Sequence, residues 1–400
     1  MHSASTDDVA DHGVQGSVGV MPILVMMSGL ASQSLLFSLP PPLLPVMAGD
    51  FGANGGFITQ MLMAVASLGL MITSIVSGAA VRAVGVRGIL IVSAAIYGLA
   101  GIVPFATANP TLLLVSRLFV GGACGLFTTG CTMLLSHSYV GTARARALGY
   151  QTSIGSVLGL IVLVIAGASV KSVGWHPAFL LYGVFALPLV LFALVGVPAV
   201  PLPPGGNQPG FAEAFGRIWP ILVAACLLMM VPILVGGEVP FILAAVGVTV
   251  PLIQSAVISM ITIMAAVGGA LFGSIQTRLG VRRTFAAALL VAALGFALIG
   301  FAANAWVAAL GCAFYGIGLG LYIPHLWVLA TSLVSERIRG HAIGLLTTSM
   351  FLGGFLYPFL FGPLQKAVGL GGAFEVVALL LAIAAIGMLM ARRARLAGAV

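Results

Sequence analysis

Twelve long apolar runs alternate with short polar breaks along the chain, at 20–47, 56–81, 88–107, 111–138, 144–170, 175–197, 218–246, 252–276, 284–303, 306–334, 341–366 and 372–391. A bilayer core about 30 Å thick is crossed by about 20 apolar residues of helix, so each run reads as one membrane span. Hydrocarbon offers the backbone no hydrogen-bond partner, which makes every such span a helix. Pro40 to Pro42, Pro240 and Pro324 fall inside or near these runs and predict kinks, with packed neighbours taking the carbonyls that the prolines free. The pattern therefore predicts an all-α polytopic membrane protein.

Composition strengthens this reading. The chain is 61% hydrophobic and 6% charged, with 53 glycines, whereas a water-soluble domain carries about 25% charged residues. A soluble enzyme of this length has no way to cover its surface with so few charges. The net charge of +8 comes from 16 basic residues scattered over short loops, which excludes a nucleic-acid partner recognised by one basic patch. With the N-terminus inside, Arg82, Arg87, Arg144, Arg146, Arg217, Arg278, Arg282, Arg283, Arg337, Arg339, Arg392, Arg393 and Arg395 all fall on the cytoplasmic side, leaving Lys171 and Lys366 outside and Arg117 within a span. Both termini are expected in the cytoplasm, with the chain threading the inner membrane. Asp7, Asp8 and Asp11 precede any Lys or Arg, opposite to the basic start of a secretory signal, so no cleavage is expected and 1–17 reads as a disordered cytoplasmic tail. Cys124, Cys131, Cys226 and Cys312 sit inside apolar runs and read as small packing residues, with neither a disulfide nor a metal site expected.

The longest break holds Pro201, Pro203, Pro204, Gly205, Gly206 and Pro209 and separates six spans from six. The expected organisation is a six-helix bundle over 18–197, a cytoplasmic linker over 198–217, a second bundle over 218–392 and a cytoplasmic tail over 393–400. Equivalent loops in the two halves resemble each other. Gly78 to Arg87 and Gly273 to Arg282 both read G-x-x-x-x-x-x-G-V-R, which suggests internal duplication, a building principle of secondary transporters.

On these loops the chain resembles the major facilitator superfamily, whose signature is approximately G-x-x-x-D-R-x-G-R-R. Gly273, Arg278, Gly280, Arg282 and Arg283 match in the second copy, where Thr277 takes the acidic position; Gly78, Gly85 and Arg87 match in the first, where Arg82 replaces the acid. Arg117 followed by Gly121 and Gly125, and Gly174-Trp175 before Ala178-Phe179, are similar to other features of that family. The resemblance implies a solute carrier of two pseudo-symmetric six-helix bundles that rock about a midplane cavity. The family's first-half loop carboxylate helps latch the halves on the cytoplasmic side, and this chain lacks it. It also lacks the Gly-Pro step common in the fifth helix of the family's antiporters, because Gly159 is followed by Leu160.

An ionisable side chain in a bilayer costs about 3 kcal/mol or more, so each one raises a functional question. Arg117 in the fourth span shares a face with Gly121 and Cys124; by resemblance it is a candidate for proton coupling or substrate contact, and otherwise snorkels or bonds exposed carbonyls. Glu238 in Gly236-Gly237-Glu238-Val239-Pro240 lies where an irregular segment could line a cavity and hand on a proton; the alternative is a solvated carboxylate at a helix end. In the tenth span Tyr315, Gly318, Tyr322 and His325 share a stripe that could face the pore, or His325 is a packing residue. Gln33 and Phe37 in the first span, Gln151 in the fifth and Gln254 in the eighth are further candidates for the substrate path, though polar residues also bridge helices. Met229, Met230 and the many phenylalanines read as lipid-facing or core residues.

No G-x-x-x-x-G-K-[ST] loop, H-E-x-x-H pair or G-x-S-x-G elbow occurs, so neither an ATPase nor a hydrolase is expected, and no cofactor beyond a proton gradient. The reading is a secondary active transporter, expected to act as a monomer among membrane lipids, that moves a small amphipathic or largely apolar solute by proton-coupled efflux. Uptake or facilitated diffusion by the same fold is the alternative, and a non-transporting membrane sensor stands behind both. Reporter fusions in the Arg144 turn and the Arg282 turn should report the same membrane face; opposite faces would break the alternation on which the reading rests.

Overall fold

The computed structural model describes residues 20–139, 141–197 and 210–390. The expected tails 1–17 and 393–400, positions 198–209, and Arg392, Arg393 and Arg395 lie outside the described residues, as do the side chains of Arg144 and Lys171. The chain forms α1 Val20–Ser38, a short turn Pro41–Leu43, α2 Leu44–Asp50, α3 Gly55–Ala106, α4 Pro110–Ser138, α5 Gly141–Val173, α6 Leu180–Gly196, α7 Phe211–Ala245, α8 Pro251–Leu279, α9 Val281–Gly300, α10 Ala305–Ser332 and α11 Arg339–Met390. Ten of its helical stretches are long and apolar enough to cross a membrane.

Two helices are too long for one crossing. α3 and α11 each run 52 residues, about 78 Å at 1.5 Å per residue, more than twice the hydrocarbon thickness. Each is broken at one glycine with a left-handed φ that a side chain resists, Gly85 (φ 74°, ψ 166°) and Gly369 (φ 77°, ψ 170°). The polar breaks expected at 82–87 and 367–371 thus shrink to single-residue corners between coaxial-in-sequence segments. The prolines act as expected at Pro40 to Pro42, where α1 gives way to the Pro41–Leu43 turn, while Pro240 and Pro324 are accommodated inside α7 and α10.

One boundary moves. α7 starts at Phe211, so 211–217 of the expected linker is helical. Glu213 lies in its first turn, where a helix dipole favours an acid, and it pairs with Arg217 at 3.0 Å and Arg337 at 3.5 Å.

The duplication reaches the backbone. The six positive-φ glycines fall into three pairs at one constant offset, Gly52 with Gly247, Gly85 with Gly280 and Gly174 with Gly369. At the same offset Asn109 and Asn304 cap α4 and α10 with their side-chain oxygens. Arg87 donates to the Leu194 carbonyl at the end of α6, and Arg282 to the Met388 carbonyl at the end of α11. Gly121 meets Ala66 and Gly316 meets Ile261, so closely that a Cβ would stand 2.0 and 2.5 Å from those carbonyl oxygens. Small residues at such crossings let helices associate by close packing, which substitutes in lipid for a hydrophobic drive.

Most buried apolar side chains of α7 to α11 form one cluster, and those of α1 to α6 form two others. The halves meet where α3 packs on α11 and α5 on α8. Gly121→Leu and Gly316→Leu should each lower thermal stability in detergent, since overpacking costs about 1–3 kcal/mol. Gly216→Ala, at an exposed helical glycine with no neighbour within 4 Å, should leave stability unchanged or raise it by up to about 1 kcal/mol.

Candidate functional site

Two cavities lie end to end between the halves. A chamber of about 210 Å³ is lined from α1 by Gln33 and Phe37, from α3 by Met63 and Ser67, from α7 by Met229, Ile233 and Gly236, and from α11 by Met350, Phe351 and Gly354. A vestibule of about 610 Å³ continues along the same helices, lined by Asn54 and Gln60, by Glu238 and Phe241, and by Gln365 and Lys366. In α7, and in the segments of α3 and α11 that precede Gly85 and Gly369, the vestibule residues sit at the end opposite Arg217, Arg82 and Arg339. The vestibule therefore lies at the arginine-poor end.

A polar cluster lines the vestibule. Gln60 Nε2 donates to Glu238 Oε1 at 2.7 Å and to Gln365 Oε1 at 3.1 Å, so one amide group on α3 ties the first half to two helices of the second. The Tyr357 hydroxyl donates to the Gln60 backbone carbonyl at 3.4 Å. Glu238 is 2% exposed, and Gly237 leaves the space that the Tyr357 hydroxyl fills. A carboxylate in such surroundings persists only with a hydrogen-bond donor, which Gln60 supplies from the opposite half.

The residues singled out from the sequence divide by position. Gln33 and Phe37 line the chamber and Glu238 the vestibule. Met229, read as packing, lines the chamber as well. The others are inside the halves. Arg117, 1% exposed, donates to the Tyr182 hydroxyl at 3.1 Å and the Gly101 carbonyl at 3.4 Å and lies over the rings of Phe179 and Tyr182 at 5.1 and 5.0 Å, which joins α4 to α3 and α6. Gln151 donates to the Met26 carbonyl at 2.6 Å, and Gln254 to the Val248 carbonyl at 2.8 Å. His325 stacks on Phe285 with ring centroids 4.6 Å apart. Tyr315 and Tyr322 are fully buried with hydroxyls 3.4 Å apart. The tenth-span stripe thus faces neighbouring helices of its own half, because a helical spacing fixes a face but not what covers it.

Tyr322 also answers a need of α7. Pro232 has no N–H, so the Leu228 carbonyl one turn back loses its helical partner, and the Tyr322 hydroxyl donates to it at 3.4 Å. In the repeated loop, Gly78, Gly85 and Arg87 in the first copy and Gly273, Arg278, Gly280, Arg282 and Arg283 in the second, the structure gives Gly85 and Gly280 a positive φ and has Arg87 and Arg282 donate to backbone carbonyls. Among the described residues the three ion pairs all join positions between Glu213 and Arg339, so none bridges the halves.

Gln60, Gln365 and Tyr357 escaped the sequence reading. The two glutamines lie at span ends, where polar residues are ordinary, and only their joint proximity to Glu238 distinguishes them. Tyr322→Phe should destabilise the protein by about 1–3 kcal/mol, the usual cost of leaving a buried acceptor unpaired, read as a lower thermal midpoint. Tyr315→Phe, whose hydroxyl meets only that of Tyr322, should cost less.

Solved structures share this architecture. The chain aligns with the nucleoside transporter NupG at a TM-score of 0.71 and 16% identity, over 93% of this chain and 99% of that one. It aligns with a point mutant of NupG at 0.72 and 16%, over 92% and 98%. Identity at that level carries the fold and no more. A family model matches directly, over residues 26–358, and by that match the chain belongs to the Major Facilitator Superfamily.

Proposed function

We propose that this protein is a secondary transporter that carries a small, amphipathic or largely apolar solute between its two halves by alternating access. In this reading α3 and α11 each cross the membrane twice, which makes twelve spans in two bundles of six, with the arginine-rich end in the cytoplasm. The vestibule then faces outward. The observation that carries the reading is the Gln60–Glu238 hydrogen bond of 2.7 Å, which joins the two halves at the vestibule and must break for them to part at that end. The chamber suits the proposed solute, since Phe37, Phe351, Met63 and Ile233 supply apolar surface and Gln33 and Ser67 a few polar contacts.

Glu238 is the proposed coupling group. An ionised carboxylate bonds the Gln60 amide about twice as strongly as a neutral acid does. A proton arriving through the vestibule therefore loosens the closure, and its loss tightens it, which links opening to the proton gradient and favours export. Uptake or facilitated diffusion is the second reading, supported by Leu160 in place of the family antiporters' fifth-helix proline. A nucleoside is the solute to try first there, because the named substrate of NupG presents a flat ring that Phe37 and Phe351 could hold.

Solutes that raise the thermal midpoint of the purified protein should be tested for flux in proteoliposomes. Export coupling predicts flux that follows an imposed pH gradient, and a Glu238→Gln variant that still binds solute yet loses at least tenfold of the gradient-driven rate. Gradient-driven flux unchanged in that variant removes Glu238 from the coupling. Flux indifferent to the gradient in the wild type selects facilitated diffusion.

A further inference from the structure

A third cavity of about 530 Å³ lies apart from the path between the halves, walled by α7, by α9 and by both segments of α11. Its rim is open, with Leu227 55%, Leu360 60% and Leu380 59% exposed, on a surface that hydrocarbon covers in a membrane. Its floor is not part of that surface, since Leu228 is 8%, Val231 6% and Tyr357 1% exposed. Among the lining residues only Tyr357 carries a hydroxyl, amide or charge. A cavity so lined binds by apolar contact and offers nothing to a phosphate headgroup.

Two features connect this groove to the path. Leu228, Val231 and Leu234 on one face of α7 line the groove, while Met229, Pro232, Ile233 and Gly236 on the other line the chamber, so the wall between is one helix thick and lacks a ladder bond at Pro232. At the far end the Tyr357 ring forms the groove's floor while its hydroxyl bonds the Gln60 carbonyl beside Glu238. No side chain at Gly237 intervenes. One aromatic ring, held by a long hydrogen bond, separates the lipid-facing groove from the cluster that joins the halves.

We propose that this groove is a bilayer-facing binding site for small apolar solutes, and that Tyr357 is the door between it and the Glu238 cluster. The proposal rests on the reading that the path between the halves carries solute. It narrows the substrate class to molecules that partition into the membrane and approach sideways rather than from water.

The test is photolabelling of the protein in phosphatidylcholine nanodiscs with a small aryl diazirine, with adducts mapped by mass spectrometry. Adducts are expected on the floor residues Leu228, Val231 and Tyr357 as well as on exposed lipid-facing residues such as Leu191. Leu381→Trp, which fills the groove from α11, should reduce floor labelling at least fivefold and leave Leu191 labelled. Leu360→Trp on the open rim should do the same without burdening the core, should Leu381→Trp fail to fold. Adducts confined to exposed residues overturn the proposal, as does floor labelling that neither variant reduces. Equal floor labelling by a diazirine carried on a phosphatidylcholine acyl chain makes the groove a lipid slot and also overturns it. The readout needs no flux and no gradient. An unlabelled floor beside gradient-driven transport therefore rejects the groove alone, whereas absent transport of every bound solute rejects the carrier.

Discussion

Hydrocarbon supplies no hydrogen bond to a stranded carbonyl, and that constraint decides what most of the polar side chains here do. α7 contains Pro220, Pro232 and Pro240, each of which interrupts the helical ladder. At Pro232 a partner comes from a neighbouring helix, since the Tyr322 hydroxyl donates to the Leu228 carbonyl that the proline frees. Other side-chain donors add a bond to a backbone carbonyl across a turn or helix contact: the Gln254 amide on Pro240 and Val248, Gln151 on Met26 and the Tyr97 hydroxyl on Ser32. These groups are committed to holding helices together, so they are not free to meet a solute. At the joint between the halves, side-chain hydrogen bonds among the described residues include the Ser74–Thr348 hydroxyl pair at 2.8 Å and the cluster of Gln60, Glu238 and Gln365.

That division explains which part of the molecule could be read from the chain. Apolar runs have only one solution in lipid, so the helices and their order were legible, although two pairs of expected runs merge into α3 and α11. The G-V-R repeat was legible as a duplication, and two of the positive-φ glycines, Gly85 and Gly280, fall in it, because the same corner in both halves demands the same residue. Glu238 was legible as a carboxyl in an apolar run. Arg117, Tyr322 and His325 carried an equal signal of polarity, and the structure places each inside its own half, away from the two cavities between the halves. Nothing in a single helix's spacing tells a face that borders a cavity from one that borders another helix. Gln60 and Gln365 were illegible for the opposite reason: their partner is 178 residues away in one case and 305 in the other, and pairing over such separations leaves no local pattern.

The joint between the halves is built twice, and the two copies differ in one chemical respect. At the offset that relates the positive-φ glycines, Gln60 on α3 corresponds to Ser255 on α8, Gly362 to Gly167, and Glu238 to Leu43. The correspondence holds in space: Gly362 faces the Gln60 side-chain oxygen, Gly167 faces the Ser255 hydroxyl, and the Pro41–Leu43 turn packs on α8. One copy is thus a small apolar contact, with Leu43 fully buried and Gly167 so close to Ser255 that a Cβ would meet its oxygen at 2.2 Å. The other copy replaces the leucine with a carboxyl and the serine with an amide long enough to reach it.

A symmetric frame with two apolar joints would open and close under packing forces alone and would have no reason to respond to protons. Exchanging Leu43's counterpart for Glu238 puts an ionisable group on one side only. In the proposed reading the protonation of that single group changes the strength of one joint and leaves the other untouched, so that a proton would tilt the balance between closed and open without dismantling the contact at Gly167. The loop that serves as a charged latch elsewhere in the family carries Arg82 and Thr277 at its acidic positions here, and no ion pair among the described residues joins the halves. In the proposed reading, the Gln60–Glu238 bond takes the place of that latch as the joint where charge acts on the fold.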